Sequence, residues 1–391
     1  MSLATLATYG VTAERGFLCP YDAPSVALDG DLGEVRDLAL RLPEVLPTGA
    51  VRTVLDGLTV VPPDLIAGLD DLQARMAMVH YSFLVQAYIW GAEPPASFLP
   101  RALAIPMVAL ADRLGQQPLL QYSGYVLDNW GMLDPAKGVS LDNIYMIQKF
   151  AGGADEAWFV LVHVAIEARA GAALALYGPL IEAAANGDVE GAEGLLGQIV
   201  AIWAEINALF DRMPEQCDPY IYFRRVRPYI HGWKDNPALG GGIVYRGVER
   251  FGDRPQAFRG QTGSQSSIVP SMDALLGVGH ASDPLRTFLD ELHIYRPPGH
   301  RRFIEDVRGQ SDVRSFVQRA DHGRLTQAYN AAVQAVADFR SRHLEYAASY
   351  IHTQGRKSAG NDTEIGTGGT PFMKYLKKHR DETKANLLGV T

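Results

Sequence analysis

The chain has 391 residues, of which 47% are hydrophobic and 20% charged, and its formal net charge is −8. This is the composition of a soluble globular protein long enough for two domains. The negative net charge argues against nucleic acid or an anionic membrane as the main partner, since both attract cationic surfaces. We expect no signal peptide and no membrane-spanning segment. Cys19 and Cys217 suggest neither a disulfide framework nor a zinc site, and a cytoplasmic location is the simple inference.

We expect residues 1–150 to form a smaller N-terminal domain of mixed but mostly helical structure. The apolar periodicity predicts helices at 31–41, 64–90 and 106–114. The Pro94-Pro95 pair ends the second of these helices, and Gly115 is the expected C-cap of the third. A compact apolar segment follows at 119–129, and the Gly-rich run at 151–153 is a plausible domain boundary.

We expect residues 151–391 to form a large all-helical domain. Its helices are expected at 156–186, 188–214, 219–231, 271–279, 283–294, 298–307, 311–320, 324–353 and 370–387. Asp188 and Ser311 are the expected N-caps of two of them. Irregular polar segments are expected at 236–267 and 353–370, between predicted helices. Because the expected strand content is small, the predicted fold class is mainly α.

One histidine lies on a helical face that is otherwise apolar and is expected to be buried. His343 falls on the same stripe as several apolar side chains, namely Ala332, Val336, Phe339, Tyr346, Ala347 and Tyr350. A buried neutral imidazole left unpaired costs about 1–3 kcal/mol, so it must be hydrogen-bonded or coordinated.

A second histidine repeats this pattern. His163 is the only polar side chain in the run 158–166, which is apolar almost all round and predicts a buried helix. The two histidines can be unrelated core residues, or they can be the axial ligand and the distal residue of a haem, and periodicity does not decide between these interpretations. The chain has no Cys-x-x-Cys-His motif, so any haem would be non-covalent.

Other chemical motifs find no support in the sequence. The run at 240–242 lacks the strand and helix that a nucleotide-binding glycine loop needs, and neither a hydrolase elbow nor a His-Glu-x-x-His motif occurs. Arg227 is the most informative cation, because it shares a helical side with Phe223 and Ile230. A guanidinium beside aromatic rings suits a carboxylate held by two hydrogen bonds, whereas Arg224 and Arg225 are expected to be solvated.

Several segments, in order and at compatible spacing, resemble those of the indoleamine 2,3-dioxygenase family beyond about residue 85. These segments are Leu99 to Pro106, Tyr122 to Trp130, Tyr229 to Pro237, Gly242 to Gly247, Gly263 to Ser267, Tyr295 to Arg301, Phe339 to Leu344 and Gly366 to Thr370. The resemblance implies haem b held between a small and a large helical domain. It further implies that His343 is the proximal iron ligand, that Arg340 pairs with a haem propionate and that Arg227 binds the substrate carboxylate.

The resemblance also assigns the walls of the substrate pocket. Phe159 and Phe223 fall on aromatic pocket positions, and Tyr122 is close by. Gly263 falls in the segment that lines the distal pocket, and Thr367 in the loop that closes over substrate.

Three positions depart from the animal members of that family. His163 stands where they carry a distal serine, Tyr222 replaces a pocket phenylalanine, and Tyr125 stands where a small cysteine is usual. These changes are expected to affect which indole fits and how fast it reacts. His163 is the expected catalytic residue, hydrogen-bonded to the indole N–H or to oxygen.

The implied activity is cleavage of the indole C2–C3 bond of L-tryptophan, or of a related indole, by O2 to give N-formylkynurenine. A reductant for ferric haem is then required. Two alternatives remain open, a haem monooxygenase that inserts one oxygen into an indole and a non-catalytic haem protein that binds O2.

Overall fold

The fold was obtained as a computed structural model that describes residues 3–282, 284–356 and 372–389, and these residues form a mainly α-helical protein, as predicted. The helices of the first part are α1 Gly30–Leu40, α2 Leu42–Val45, α3 Val51–Asp56, α4 Pro63–Gly68, α5 Asp71–Trp90 and α6 Arg101–Leu114. Those of the second part are α7 Gly153–Leu174, α8 Tyr177–Asn186, α9 Val189–Asp211, α10 Pro219–Ile221, α11 Ile268–Leu276, α12 Pro284–His293, α13 Pro298–Gln310, α14 Val313–Ala320, α15 Gly323–Ala347, α16 Thr353–Arg356 and α17 Phe372–Lys384.

Four short strands make up the described β-structure. Strand β1 Phe98–Leu99 pairs in parallel with β4 Val244–Tyr245, and β2 Trp130–Met132 pairs antiparallel with β3 Ile144–Met146. These two-stranded pairs tie loops together and form no sheet face on which a core could pack.

The single helix predicted at 64–90 is wrong, because the chain breaks it at Asp70. The Asp70 carboxylate accepts from the backbone N–H of Gln73 at 2.7 Å, and the Gln73 side chain accepts from the Asp70 N–H at 3.2 Å. This reciprocal capping box starts a new helix at Asp71, which is α5.

The two predicted N-caps have different outcomes. Asp188 is confirmed, since its carboxylate accepts from the N–H of Gly191 at 2.9 Å at the start of α9. Ser311 is wrong by one residue, because the N-cap of α14 is Asp312. The Ser311 hydroxyl instead donates to the carbonyl oxygen of Leu275 at 2.5 Å, which joins α13 to α11.

Three described segments of five residues each are wound as π-helix, and the second and third interrupt the helices predicted at 219–231 and 324–353. They are Ser123–Leu127, Tyr222–Val226 and Ala348–His352. After the second, Arg227–Ile230 forms a 3-10 turn, because Pro228 has no N–H to continue the α-helical ladder. Such π-turns often occur at functional sites.

The centre of the second part is formed by α9, which packs against both α7 and α15. Its buried face carries Ile199, Ile202, Trp203, Ile206 and Phe210. The segments 153–186 and 189–215 are long and apolar enough to cross a membrane by length and composition alone. Core helices meet the same test, and 67% of the apolar window of the first segment is buried inside the protein.

Residues before and after position 150 share packing contacts. The rings of Phe150 and Tyr229 stack with their centroids 5.0 Å apart, and the Gln86 amide donates to the carbonyl oxygen of Tyr229 at 2.7 Å. The division into domains at 1–150 and 151–391 therefore stays a prediction.

Candidate active site

A cavity of about 620 Å³ lies between α7, α11 and α15. Its volume is in the range of ligand pockets, roughly 300–1,000 Å³. The wall combines apolar side chains with the two predicted histidines, His163 and His343. It also carries several titratable groups, among them Arg340, Arg296, Arg308, Asp273 and His280.

A smaller cavity of about 150 Å³ adjoins it and has a partly aromatic wall. Its wall includes Phe159, Phe210, Tyr222, Tyr346 and Tyr350. Both cavities share His163, Gly263 and His343, so the two histidines stand where the larger and smaller cavities meet.

The hydrogen bond of His163 fixes which of its nitrogens remains available. Nδ1 lies 2.7 Å from the carbonyl oxygen of Phe159, one helical turn earlier on α7. A carbonyl oxygen only accepts, so Nδ1 carries the proton and donates. Burial lowers the pKa of His163, which keeps the ring neutral. Nε2 is then a lone-pair acceptor on a side chain that lines both cavities.

His343 differs from His163 in its hydrogen bonding. Its ring makes no hydrogen bond with any residue that the structure describes, although it faces both cavities. Burial, with help from the nearby His163 and Arg340, lowers the pKa of His343 to about 4. A neutral imidazole with free ring nitrogens on a large cavity is suited to bind a metal centre. The residues present therefore fit a haem whose iron is held by His343.

Arg340 lies one turn before His343 and makes an ion pair across the fold. Its guanidinium nitrogens donate to the Asp273 carboxylate of α11 at 3.1 and 2.6 Å, and one of them also donates to the Thr383 hydroxyl of α17. Burial alone would raise the pKa of Asp273, but Arg340 and His280 hold it well below its ordinary value. Arg340 lines the large cavity, and its pairing with a haem propionate stays a prediction.

A buried glutamate that was not singled out from the sequence lies beside the cavity. Glu167, one turn after His163, accepts from the Tyr122 hydroxyl at 3.0 Å and from the Ser266 hydroxyl at 2.7 Å. Burial raises its pKa to about 7, against the lowering effect of these two donors. Tyr122 and Ser266 both line the large cavity, so Glu167 positions part of its wall. The signal in the sequence was a lone carboxylate following a nine-residue apolar run.

Three other predicted pocket residues lie behind the cavity walls. Arg227 and Phe223 are buried, with the guanidinium carbon 5.7 Å from the ring centroid, and neither belongs to the walls of the two cavities as the described residues form them. The same holds for Tyr125, whose hydroxyl donates to buried Glu156 at 3.3 Å and whose ring is 6.5 Å from that of Phe159. Thr367 lies outside the described residues.

The fold and this cavity define an α-helical protein with a site between its helices that fits a prosthetic group. The family model described as "Indoleamine 2,3-dioxygenase" matches residues 5–386, and the chain belongs to this family. Its members are haem-dependent oxidoreductases.

Curated relatives agree with the family assignment along nearly the whole chain. Indoleamine 2,3-dioxygenase 2 of Homo sapiens is 30% identical over 98% of this chain and 96% of its own length. Indoleamine 2,3-dioxygenase 1 of Rattus norvegicus is 32% identical with the same coverage. The indoleamine 2,3-dioxygenase of Saccharomyces cerevisiae is 32% identical over 89% of this chain and 86% of its own length.

Proposed function

We propose that this protein cleaves the indole C2–C3 bond of L-tryptophan, or of a related indole, with O2 and a bound haem, giving N-formylkynurenine. The observation that carries the proposal is the pair of histidines on one cavity. His343 has a ring without a described hydrogen-bond partner, and His163 has one ring nitrogen held by a carbonyl and the other left as an acceptor.

Haem b would be held by His343 at the iron and by Arg340 at a propionate. Arg296 is a further cation on the same wall, fixed by hydrogen bonds to the carbonyl oxygens of Ser264 and Ser266 at 2.7 and 3.2 Å. The bound cofactor supplies the activation of O2, while the protein contributes orientation, electrostatics and a dry site.

His163 would hold the indole at its ring nitrogen. Because Nδ1 donates to the carbonyl oxygen of Phe159, the Nε2 lone pair is free to accept a hydrogen bond from the indole N–H. The rings of Phe159 and Tyr222, whose centroids are 4.8 Å apart, would pack on the substrate and exclude water. Tyr122 and Gly263 would form part of the wall, and Tyr125 would support it from behind.

Arg227 remains our candidate for the substrate carboxylate, with Phe223 as its aromatic neighbour. Arg227 begins the turn Arg227–Ile230, which directly follows the π-turn Tyr222–Val226. The first and last residues of this stretch, Tyr222 and Ile230, line the smaller cavity. A small rearrangement of these irregular turns on substrate binding would bring a buried cation to the cavity.

The reaction requires O2 and a reductant that keeps the iron ferrous, and we place the protein in the cytoplasm. The two alternative functions predict different products. A haem monooxygenase would insert one oxygen atom into the indole, and an O2-binding haem protein would form no product.

Mass spectrometry of products formed under ¹⁸O2 separates these three outcomes. The reaction should be quenched within seconds, because formyl oxygen exchanges with water. We expect both oxygen atoms of O2 in N-formylkynurenine. A product with one labelled atom would establish the monooxygenase, and stable O2 binding without product would refute catalysis altogether.

A further inference from the structure

A second group of ligating side chains lies next to Arg340 and outside the histidine pair. It contains His280, which follows α11, and His379 and Glu382, which are three positions apart and therefore on one face of α17. One ligand atom from each of the three lies within 4.8 Å of the others. We call these three residues the His-His-Glu cluster.

We propose that the His-His-Glu cluster binds a divalent transition-metal ion of the zinc class. Two imidazoles and one carboxylate, with water in a fourth position, are a ligand set that zinc accepts. The cluster contains neither His163 nor His343, so the inference does not rest on the function proposed above.

His280 lies between two carboxylates. Nδ1 lies 2.8 Å from Oε2 of Glu382, and Nε2 lies 3.3 Å from Oδ2 of Asp273. A neutral imidazole has one N–H, so it cannot donate to both carboxylates. With an ion on Nδ1 and on Glu382, the remaining proton on Nε2 donates to Asp273, which is the carboxylate–histidine–metal arrangement of natural zinc sites.

His379, which also lines both cavities, supplies a second imidazole nitrogen. Its Nε2 is buried without a hydrogen-bond partner there, and its ring centroid is 5.1 Å from that of His280. A ring nitrogen without a donor or acceptor partner can offer its lone pair to a metal ion, which metal binding requires.

Two carboxylates, Asp273 and Glu382, face the cluster, and each has a cationic neighbour. Arg340 is paired with Asp273, and the Lys378 ammonium lies 3.5 Å from Oε1 of Glu382, which also accepts from the Ala281 N–H at 3.3 Å. Oε2 of Glu382 is the carboxylate oxygen directed at His280. An ion here would fasten α17 to the end of α11 and, through Asp273, to the arginine next to the cavity.

Zinc titration of the haem-loaded protein tests the proposal. The protein is first treated with a chelator that leaves haem in place, and then titrated with Zn²⁺ by calorimetry. Elemental analysis reports zinc separately from haem iron. We expect one zinc ion per chain, with His280→Ala, His379→Val and Glu382→Gln each weakening zinc binding at least about tenfold.

His293→Gln is the matched control. His293 lines the same large cavity but meets a single carboxylate, Glu305, at 2.9 Å, so its loss should leave zinc binding unchanged. Absence of stoichiometric zinc in the unsubstituted protein, or equal affinity in all four variants, overturns the proposal.

X-ray absorption at the zinc edge of the unsubstituted protein gives a second measurement that does not depend on variants folding. We expect a first shell of nitrogen and oxygen with the outer scattering of two imidazoles. A zinc shell without imidazole scattering contradicts the assignment of His280 and His379.

Discussion

His163 of α7 and His343 of α15 line the same two cavities, and one ring stands beside both. The centroid of Phe210, on the intervening helix α9, is 6.2 Å from the His163 ring and 6.3 Å from the His343 ring. Helix α9 packs against both α7 and α15 in a buried core, so helix packing sets the spacing of the two imidazoles. Close-packed interiors have low compressibility, and this spacing should therefore change little.

Replacement of His343 by alanine should remove haem without unfolding the chain. The imidazole makes no described hydrogen bond and faces a cavity, so its removal leaves no unpaired polar group behind. We expect haem content to fall to a small fraction of normal while the helical circular dichroism is retained. His352→Ala, nine residues later, is the control. A His343→Ala protein with an unchanged histidine-ligated spectrum would show that the iron ligand lies elsewhere.

Replacement of Arg227 by alanine should lower kcat/KM for tryptophan by roughly one to two orders of magnitude, since a charge-assisted pair contributes about 1.5–3 kcal/mol. Arg224 and Arg225 are exposed, and their alanine variants should change it little. Tryptamine, which lacks the carboxylate, isolates the effect from altered folding. The loss should be large with tryptophan and small with tryptamine, and equal losses with both substrates would rule out the carboxylate-binding role.

Methylation of the indole nitrogen should make tryptophan a much poorer substrate. The Nδ1–H of His163 is used by Phe159, so Nε2 can only accept, and N-methylation removes the donor that it needs. His163→Ser should lower turnover and reduce the ratio of kcat/KM values between tryptophan and 1-methyltryptophan. If the ratio is the same in both proteins, His163 has a packing role only.

The raised pKa of Glu167 makes the free energy of unfolding depend on pH. Its folded-state pKa of about 7 lies above the ordinary value of 4.5, so between these values the folded state keeps a proton that the unfolded state has lost. Stability therefore falls as pH rises through this window, by at most about 1.4 kcal/mol per pH unit. Glu167→Gln should remove this contribution while keeping a partner for Tyr122.

Urea unfolding at several pH values between about 5 and 8 measures this effect. The control is Glu205→Gln, because Glu205 is an exposed partner of Arg169, and the pKa of its carboxyl is lowered by the hydrogen bond from that arginine. For Glu167→Gln we expect the free energy of unfolding to depend less on pH than in the unsubstituted protein. For the control we expect the same pH dependence as in the unsubstituted protein. Parallel curves for the Glu167 variant and the unsubstituted protein would show that Glu167 is already ionised when folded.

The sequence by itself determined the fold class, the helical faces that carry His163 and His343, and the family. Helical faces follow from a local period of 3.6 residues, which any packed helix must satisfy. The cap at Asp188 is local in the same sense, since it bonds three residues away. The helix break at Asp70 also rests on a local capping box. This break was not predicted because the helical spacing of apolar residues continues on both sides of Asp70.

Only the tertiary structure decided which neighbours these faces meet. Arg340 pairs with Asp273 across 67 positions, and Glu167 accepts from Tyr122 across 45, so no local pattern could join them. Tyr125 and Phe223 likewise lie in segments of the predicted pocket, yet helix packing places them behind its wall. Periodicity states which side of a helix is buried, whereas the partner on that side depends on how distant segments pack together.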